Sequence, residues 1–324
     1  MTTTSTPRES VAAVGPMDSA QVVTVDHLRK SYGPGAGVQD VSFRVRQGEI
    51  FGIIGPNGAG KTTTVECICG LRIPDSGVIQ VLGLDPQVHR AAIRERVGVQ
   101  LQESALPLFI KVGEALELFA SFYPQPADPA ELLEALGLTD KRNTYYRRLS
   151  GGLKQRLSIA LALIGNPQIA ILDELTTGLD PQARRDTWEL IEHVRDRGVT
   201  VILVTHYMDE AERLCDRVLL IDHGAVAALG TPAGLAQSAG GGTHLRFVPS
   251  VPFDTRMLTV LPEVTDVARE GQRIRVTGTG DLVGAVVRAL EAAGVQARDM
   301  QVESATLDDA YVRLTHHLEE AQRP

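Results

Sequence analysis

The chain has 324 residues, of which 43% are hydrophobic and 22% charged, and this composition is ordinary for a globular protein with room for two domains. Its net charge of −8 argues against a surface that binds nucleic acid or anionic membrane. Three cysteines are too few for a disulfide framework, so we expect buried thiols in a reducing compartment. The most apolar stretch, 157–172, is interrupted by Gly165, Asn166 and Pro167, and we predict no membrane span.

The N-terminal region begins with a polar segment and continues with strand patterns. Residues 1–20 are rich in Thr, Ser and Pro, which predicts a disordered tail and not a signal peptide. Residues 22–25 and 41–46 alternate between apolar and polar side chains. That alternation predicts half-buried strands of an antiparallel sheet.

A phosphate-binding loop follows the next strand. The apolar run 50–54 predicts a buried parallel strand, and a helix can begin directly after the loop. Glycines let the backbone wrap an anion, and the amides of the helix start point at its phosphates. We expect Lys61 to reach the β- and γ-phosphates and the Thr62 hydroxyl to ligate Mg²⁺. The residues assigned to nucleotide binding here are Gly55, Pro56, Asn57, Gly58, Ala59, Gly60, Lys61, Thr62 and Thr63.

Further along the chain, a helix-rich insert at about 103–150 precedes a second group of motifs. The insert carries periodic apolar residues, and it ends at the segment Leu149, Ser150, Gly151, Gly152. An apolar strand then ends in two carboxylates, Asp173 and Glu174, and residues 177–180 and 204–206 follow. The strands around 171, 201–204 and 218–221 are continuous apolar runs, which are typical of a parallel sheet covered on both faces.

In their order and spacing, these motifs resemble those of the ATP-binding subunit of an ABC transporter, over roughly 22–230. The resemblance implies an α/β P-loop ATPase fold with an antiparallel β subdomain and a helical insert. We assign this ATPase domain to 21–237. It also implies ATP and Mg²⁺ as cofactors.

The resemblance further implies roles for individual residues. Asp173 holds Mg²⁺ directly or through water, and Glu174 faces the attacking water as general base. His206 contacts the γ-phosphate, and Tyr32 stacks on adenine. Gln102 is assigned to the link between Mg²⁺ and the membrane partner, with Gln100 as its rival. Asp180 is assigned to the nucleotide site.

The segment Ser150, Gly151, Gly152 implies a dimer. In the family it binds the γ-phosphate of ATP held by the opposite subunit, and this chain has one phosphate loop and one such segment. It must therefore pair with a second copy or a homologue. Two departures from the family pattern, Leu153 for glutamine and Leu175 for proline, remove no group that touches phosphate, so we expect activity to survive.

The function implied is a motor that closes on ATP, opens after hydrolysis and drives a separate membrane permease, with export as the expected direction. Such a subunit sits on the cytoplasmic face of the membrane through its permease. The alternative is a soluble ABC ATPase acting on ribosomes or nucleic acid, but those usually carry two cassettes or long insertions. A catalytically silent binder is a third class, and the intact Lys61, Asp173, Glu174 and His206 argue against it.

After residue 230 the sequence pattern changes, and it predicts a linker followed by a second domain. Residues 238–242 predict a flexible linker, and 243–324 an accessory domain. Its patterns predict strand, helix, strand, strand, helix, strand, which is a ferredoxin-like split βαβ order. A final helix opens at Thr306 with a capping-box variant that includes Asp309. The ending, 304–315, resembles the tail of the drug-resistance branch of ABC exporter ATPases.

Overall fold

The computed structural model describes residues 20–33, 36–100, 106–238, 242–303 and 306–312, which form two β-sheets with their helices. The elements of the first part are β1 (Gln21–Gly33), β2 (Ala36–Arg46), β3 (Ile50–Ile54), α1 (Lys61–Ile68), β4 (Ser76–Val81), α2 (Arg90–Arg94), β5 (Val97–Gln100), α3 (Val112–Ala120), α4 (Pro129–Ala135), α5 (Gly151–Leu163), β6 (Ile169–Asp173), α6 (Pro181–Asp196), β7 (Thr200–Thr205), α7 (Met208–Leu214), β8 (Arg217–Asp222), β9 (Ala225–Gly230) and α8 (Pro232–Ser238). The elements of the second part are β10 (Thr243–Pro249), α9 (Arg256–Thr259), β11 (Val264–Glu270), β12 (Arg273–Gly278), α10 (Leu282–Ala292) and β13 (Ala297–Glu303). None of the helices within these ranges has the length and apolar character needed to cross a membrane.

The first sheet has nine strands in the order β4-β1-β2-β9-β8-β3-β7-β6-β5. β3 pairs in parallel with β7 and β8, and β6 pairs in parallel with β5 and β7. β1 pairs antiparallel with β2 and β4. The predicted α/β fold with an antiparallel β subdomain is therefore confirmed, and β4, β5 and β9 extend it beyond the predicted strands.

The parallel strands are covered on both faces, as their continuous apolar sequences predict. Along β3, Ile50 and Ile54 belong to one hydrophobic cluster, whereas Phe51 and Ile53 belong to the other. The first cluster includes residues of α3, α5, α6 and α7, and the second includes residues of β1, β2 and α1. The carboxyl ends of β3, β6 and β7 consequently meet at one edge between the two layers.

The insert is helical in its described part, where α3 and α4 precede α5. Leu116 is fully buried in the first cluster, and Phe119, Ala120 and Tyr123 pack against it. The regularly spaced apolar residues of the insert therefore form the face that packs on the core.

The second sheet has the strand order β11-β12-β10-β13, and all its neighbouring strands are antiparallel. Numbered within this part, the order is 4-1-3-2, the arrangement of the predicted ferredoxin-like split βαβ fold. Leu245 and Phe247 of β10 form its core with Leu282, Val286 and Leu290. The sequence pattern predicts the first helix of this part over 254–261, and α9 is shorter, at Arg256–Thr259. The division of the chain at 238–242 stays a prediction, and 239–241 lie outside the described residues.

Residues 307–312 are helical, and the predicted cap is present at their start. Thr306 N–H donates to Asp309 Oδ2 at 2.9 Å, and Asp309 N–H donates to Thr306 Oγ1 at 3.2 Å. Leu307 is 2% exposed and belongs to the first hydrophobic cluster, together with residues of α5 and α6. The terminal helix therefore packs on the core of the nine-stranded sheet.

We expect Leu307→Ala to lower the free energy of unfolding by about 2–5 kcal/mol, because it leaves a cavity in that cluster. Urea unfolding followed by circular dichroism measures the change. Val260→Ala is the control, since Val260 is 77% exposed. Equal stabilities for the two variants would show that the terminal helix adds nothing to the core.

Candidate functional site

The phosphate loop spans residues 55–60, between β3 and α1. Gly55 has a φ of 151°, and a side-chain carbon there would collide with the carbonyl oxygen of Ile221. Gly60 precedes α1 with a φ of 104°. Both positions require glycine, because this backbone conformation is strained for other residues. The first amides of α1 are thereby directed into the loop.

Lys61 is buried, and its ammonium lies over the loop. Its Nζ donates to the carbonyl oxygens of Gly55 at 2.8 Å and Pro56 at 3.0 Å. Burial lowers the pKa of Lys61, and the carboxylates of Glu174 and Asp173 act against that shift. A buried cation that donates to loop carbonyls is well placed to receive a phosphate oxygen.

A cleft of about 570 Å³ opens over the loop. Tyr32 of β1 stands on one side, with its hydroxyl 3.5 Å from Thr63 Oγ1. Its ring is half-exposed, and the guanidinium carbon of Arg72 lies 5.2 Å from the ring centroid. The lining residues are Tyr32, Ala36, Gly37, Asn57, Gly58, Gly60, Lys61, Thr62, Thr63 and Glu174. The fold thus brings the predicted adenine contact to the phosphate loop.

Asp173 ends β6 and is 2% exposed. Within the described part of the chain, its Oδ2 is buried without a hydrogen-bond partner. Burial, together with the neighbouring carboxylate of Glu174, raises the pKa of Asp173 to about 6, and the ammonium of Lys61 acts against that shift. A buried carboxylate oxygen without a donor is a group that a divalent cation would satisfy.

Glu174 and His206 follow the ends of two adjacent strands and meet. Glu174 has a φ of 50°, and its N–H donates to the carbonyl of Val204 at 2.9 Å. His206 Nδ1 lies 3.1 Å from Glu174 Oε1. The carboxylate of Glu174 is thereby fixed at the mouth of the cleft, where it can face a water molecule beside a bound phosphate.

The two candidate glutamines differ in what the structure shows of them. Gln102 lies outside the described residues, so its assignment stays a prediction. Gln100 is buried, and its Oε1 accepts a hydrogen bond from the N–H of Asp173 at 3.2 Å. This contact ties the end of β5 to the end of β6.

The segment Ser150, Gly151, Gly152 lies at the start of α5. Ser150 caps α5, accepting from Leu153 N–H at 3.4 Å, and a side-chain carbon on Gly152 would lie 3.3 Å from Ala183 Cβ. Asp180 caps α6 by accepting from the N–H groups of Gln182 and Ala183, both at 3.0 Å. None of these residues is among the described residues that line the cleft. Ser150 and Gly151 are exposed to solvent.

Sequence reasoning missed Arg72, Ala36 and Gly37 at this site. Ala36 and Gly37 reach the cleft because β1 and β2 pair antiparallel beside the loop. Arg72 is held by Glu66, at 2.5 Å. No motif marks these residues: the folded hairpin brings Ala36 and Gly37 to the cleft, and Arg72 lies beside the ring of Tyr32.

The raised pKa of Asp173 gives a stability prediction for protein without nucleotide or magnesium. The pKa of this carboxyl is about 6 in the folded chain and 3.8 ordinarily, so ionisation of Asp173 opposes folding. The destabilisation grows as the pH rises from about 4 to about 6, and it is complete above about pH 6. Asp173→Asn should therefore raise the Tm at pH 7.5 and raise it less at pH 5. Calorimetry at the two pH values measures the difference. A Tm at pH 7.5 equal to or below that of the wild type would contradict it.

Known proteins similar to this chain belong to one family. The family model described as ABC transporter matches residues 38–177. A daunorubicin resistance ATP-binding protein of Streptomyces coeruleorubidus is 36% identical over 301 residues, covering 90% of this chain and 95% of that protein. A Nod factor export ATP-binding protein of Ralstonia nicotianae is 36% identical, covering 92% of this chain and 94% of that protein. A linearmycin resistance ATP-binding protein of Bacillus subtilis is 33% identical, covering 91% of this chain and 98% of that protein.

Solved structures match about two thirds of the chain. A structure described as the ATP-binding subunit of an ABC transporter has a TM-score of 0.61 at 29% identity, covering 68% of this chain and 93% of that one. A structure of cbiO1 from Clostridium perfringens, described as part of the ABC transporter complex cbiONQ, has a TM-score of 0.60 at 27% identity, covering 65% of this chain and 88% of that one.

Proposed function

Because this chain belongs to the ATP-binding proteins of ABC transporters, we propose that it is the ATP-hydrolysing motor of an exporter whose cargo passes through a separate membrane permease. The observation that carries the proposal is the meeting of Glu174 and His206 beside the phosphate loop, with the buried Asp173 next to them. The names of the relatives mention drug resistance and Nod factor export, and both support an outward direction of transport. Through its permease, the chain would work at the cytoplasmic face of the membrane.

The loop and Lys61 would bind the phosphates of ATP, and Tyr32 would stack on the adenine. The residues that would hold Mg²⁺ are Thr62 and Asp173, with Gln102 as a further ligand. Among the described residues, the buried Oδ2 of Asp173 has no hydrogen-bond partner, which fits this role. When bound, Mg²⁺ neutralises charge on the phosphates.

Hydrolysis needs one proton to leave the attacking water. Glu174 would take that proton as the water oxygen bonds to the γ-phosphorus and the bond to the ADP oxygen breaks. His206, within hydrogen-bond distance of Glu174 Oε1, would hold the carboxylate in place and contact the γ-phosphate.

Each site would be completed by a second copy of the chain or a homologue. The start of α5 offers the Ser150 hydroxyl and helix N-terminal amides, which favour an anion. Since this segment does not line the cleft of its own chain, it is available to the γ-phosphate held by a partner. The proposed assembly is a dimer that encloses two ATP molecules.

Phosphate release by the purified chain tests the activity. We expect turnover with Mg-ATP, loss of turnover with excess EDTA, and recovery when Mg²⁺ is restored. The Lys61→Ala protein is the control for a contaminating ATPase. Nucleotide binding without magnesium-dependent phosphate release would contradict the proposed motor and leave a silent binder.

A further inference from the structure

Glu210, on α7, is a fully buried carboxylate that the proposed chemistry does not use. Its Oε1 accepts a hydrogen bond from the indole N–H of Trp188, on α6, at 3.1 Å. Its Oε2 is buried and, within the ranges that the structure describes, makes no hydrogen bond. A buried carboxylate costs folding free energy unless its oxygens are satisfied, so its presence here calls for an explanation.

The hydroxyls of two threonines lie beside this carboxylate. Burial raises the pKa of Glu210, and Thr205, Thr176 and the Trp188 N–H act against that shift. Thr205 ends β7, and its Oγ1 also accepts from Tyr207 N–H at 3.0 Å. Thr176 is fully buried, and its Oγ1 has no hydrogen bond of ordinary geometry within the described part.

The two threonines belong to the two segments that carry the proposed chemistry. Thr176 is two residues after Glu174, and Thr205 immediately precedes His206. Glu210 therefore lies between the segment that follows β6 and the segment that follows β7. A hydrogen bond between the two unpaired oxygens, Thr176 Oγ1 and Glu210 Oε2, would draw these segments together at a small displacement.

We propose that Glu210 is a positioning residue for ATP hydrolysis: its carboxylate holds the segments of Glu174 and His206 in register through Thr176 and Thr205. The inference rests on the roles proposed for Glu174 and His206. Glu210 itself touches no nucleotide. Its loss would therefore misplace the general base and leave the phosphate loop and the adenine contact intact.

Steady-state kinetics of three variants tests this role. We expect Glu210→Ala to lower kcat by about ten- to a hundredfold and Thr176→Val by about five- to tenfold, with KM for ATP changed less than about twofold. Glu210→Gln keeps the shape and one acceptor oxygen, so it should retain kcat within about threefold of wild type. The control is Thr187→Val, which also removes a buried hydroxyl, but one that bonds the carbonyl of Ala183 within α6.

Trp188 supplies an independent signal, because it is the only tryptophan of the chain. In the Glu174→Gln protein, which we expect to bind ATP without turning it over, Mg-ATP should shift the emission of Trp188 as the two segments tighten. Adding Thr176→Val should reduce that shift, and adding Thr187→Val should not. This readout needs no turnover, and it uses the conservative threonine variant even where Glu210→Ala fails to fold.

Unchanged kcat in Thr176→Val and both Glu210 variants, in a wild-type background that hydrolyses ATP, would overturn the inference. A lower Tm with kcat unchanged would do so as well, since Glu210 would then serve packing alone. Absence of turnover in the wild type would instead contradict the proposed function. In that case an ATP-bound protein whose Trp188 emission does not move would overturn the positioning role separately.

Discussion

Glu174→Gln should slow ATP hydrolysis by at least about a hundredfold and leave ATP affinity unchanged, because the amide keeps the size of the side chain but cannot take a proton. The contact with His206 at 3.1 Å can persist, since the amide also forms hydrogen bonds. Phosphate release measures the rate, and titration with a fluorescent ATP analogue measures the affinity. Near-normal turnover would remove Glu174 from the catalytic role.

Lys61→Ala should differ from Glu174→Gln in its affinity for ATP. Its ammonium already lies over the loop carbonyls, so its removal takes away a charge-assisted contact to phosphate in the ground state. We expect weaker ATP binding in this variant, in contrast to Glu174→Gln. Equal affinity in the two variants would contradict the placement of Lys61 at the phosphates.

Ser150→Arg should abolish the dimer that Mg-ATP forms in the Glu174→Gln protein. The exposed Ser150 begins α5, and an arginine there places bulk and positive charge where the partner's γ-phosphate would bind. Sedimentation or light scattering with and without Mg-ATP measures the effect. We expect a dimer with nucleotide, monomer without it, and monomer in both conditions for the Ser150→Arg variant.

Ser121→Arg is the control for this substitution. Ser121 is also an exposed serine, at the end of α3, and it does not begin α5. It should leave the nucleotide-dependent dimer intact. A dimer that forms without nucleotide and survives Ser150→Arg would indicate that the second sheet supplies the main contact between copies.

The strand, loop and helix of the predicted phosphate site could be placed from the sequence because they are contiguous. A strand, a glycine loop and a helix start follow one another from Ile50 to Ile68, and a strand of apolar residues leads directly into Asp173 and Glu174. The same holds for the second sheet, whose strands and helices alternate without long insertions. Its split βαβ order could therefore be inferred from local patterns alone.

Contacts between distant segments could not be predicted in this way. By its position in the sequence, Leu307 belongs to the accessory region, yet it packs in the first hydrophobic cluster. The sequence could not predict this contact, because a single apolar residue does not indicate which core it joins. Glu210 lies in the segment 209–212, in which three of four residues are acidic, and nothing in that pattern indicates that its side chain is buried. Its burial follows only from the packing of α7 beside Trp188.

Mixing the Lys61→Ala and Ser150→Arg proteins tests most directly whether each site combines the phosphate loop of one copy with the Ser150 segment of another. Each protein alone should be inactive. In a mixed dimer, the intact loop of the Ser150→Arg copy meets the intact Ser150 segment of the Lys61→Ala copy, so one of two sites is restored. An equal mixture should recover phosphate release that neither protein shows alone, up to about half of the wild-type rate, because each mixed dimer has one intact site of two. Inactivity of the mixture, with ATP bound and mixed dimers present, would contradict the shared site.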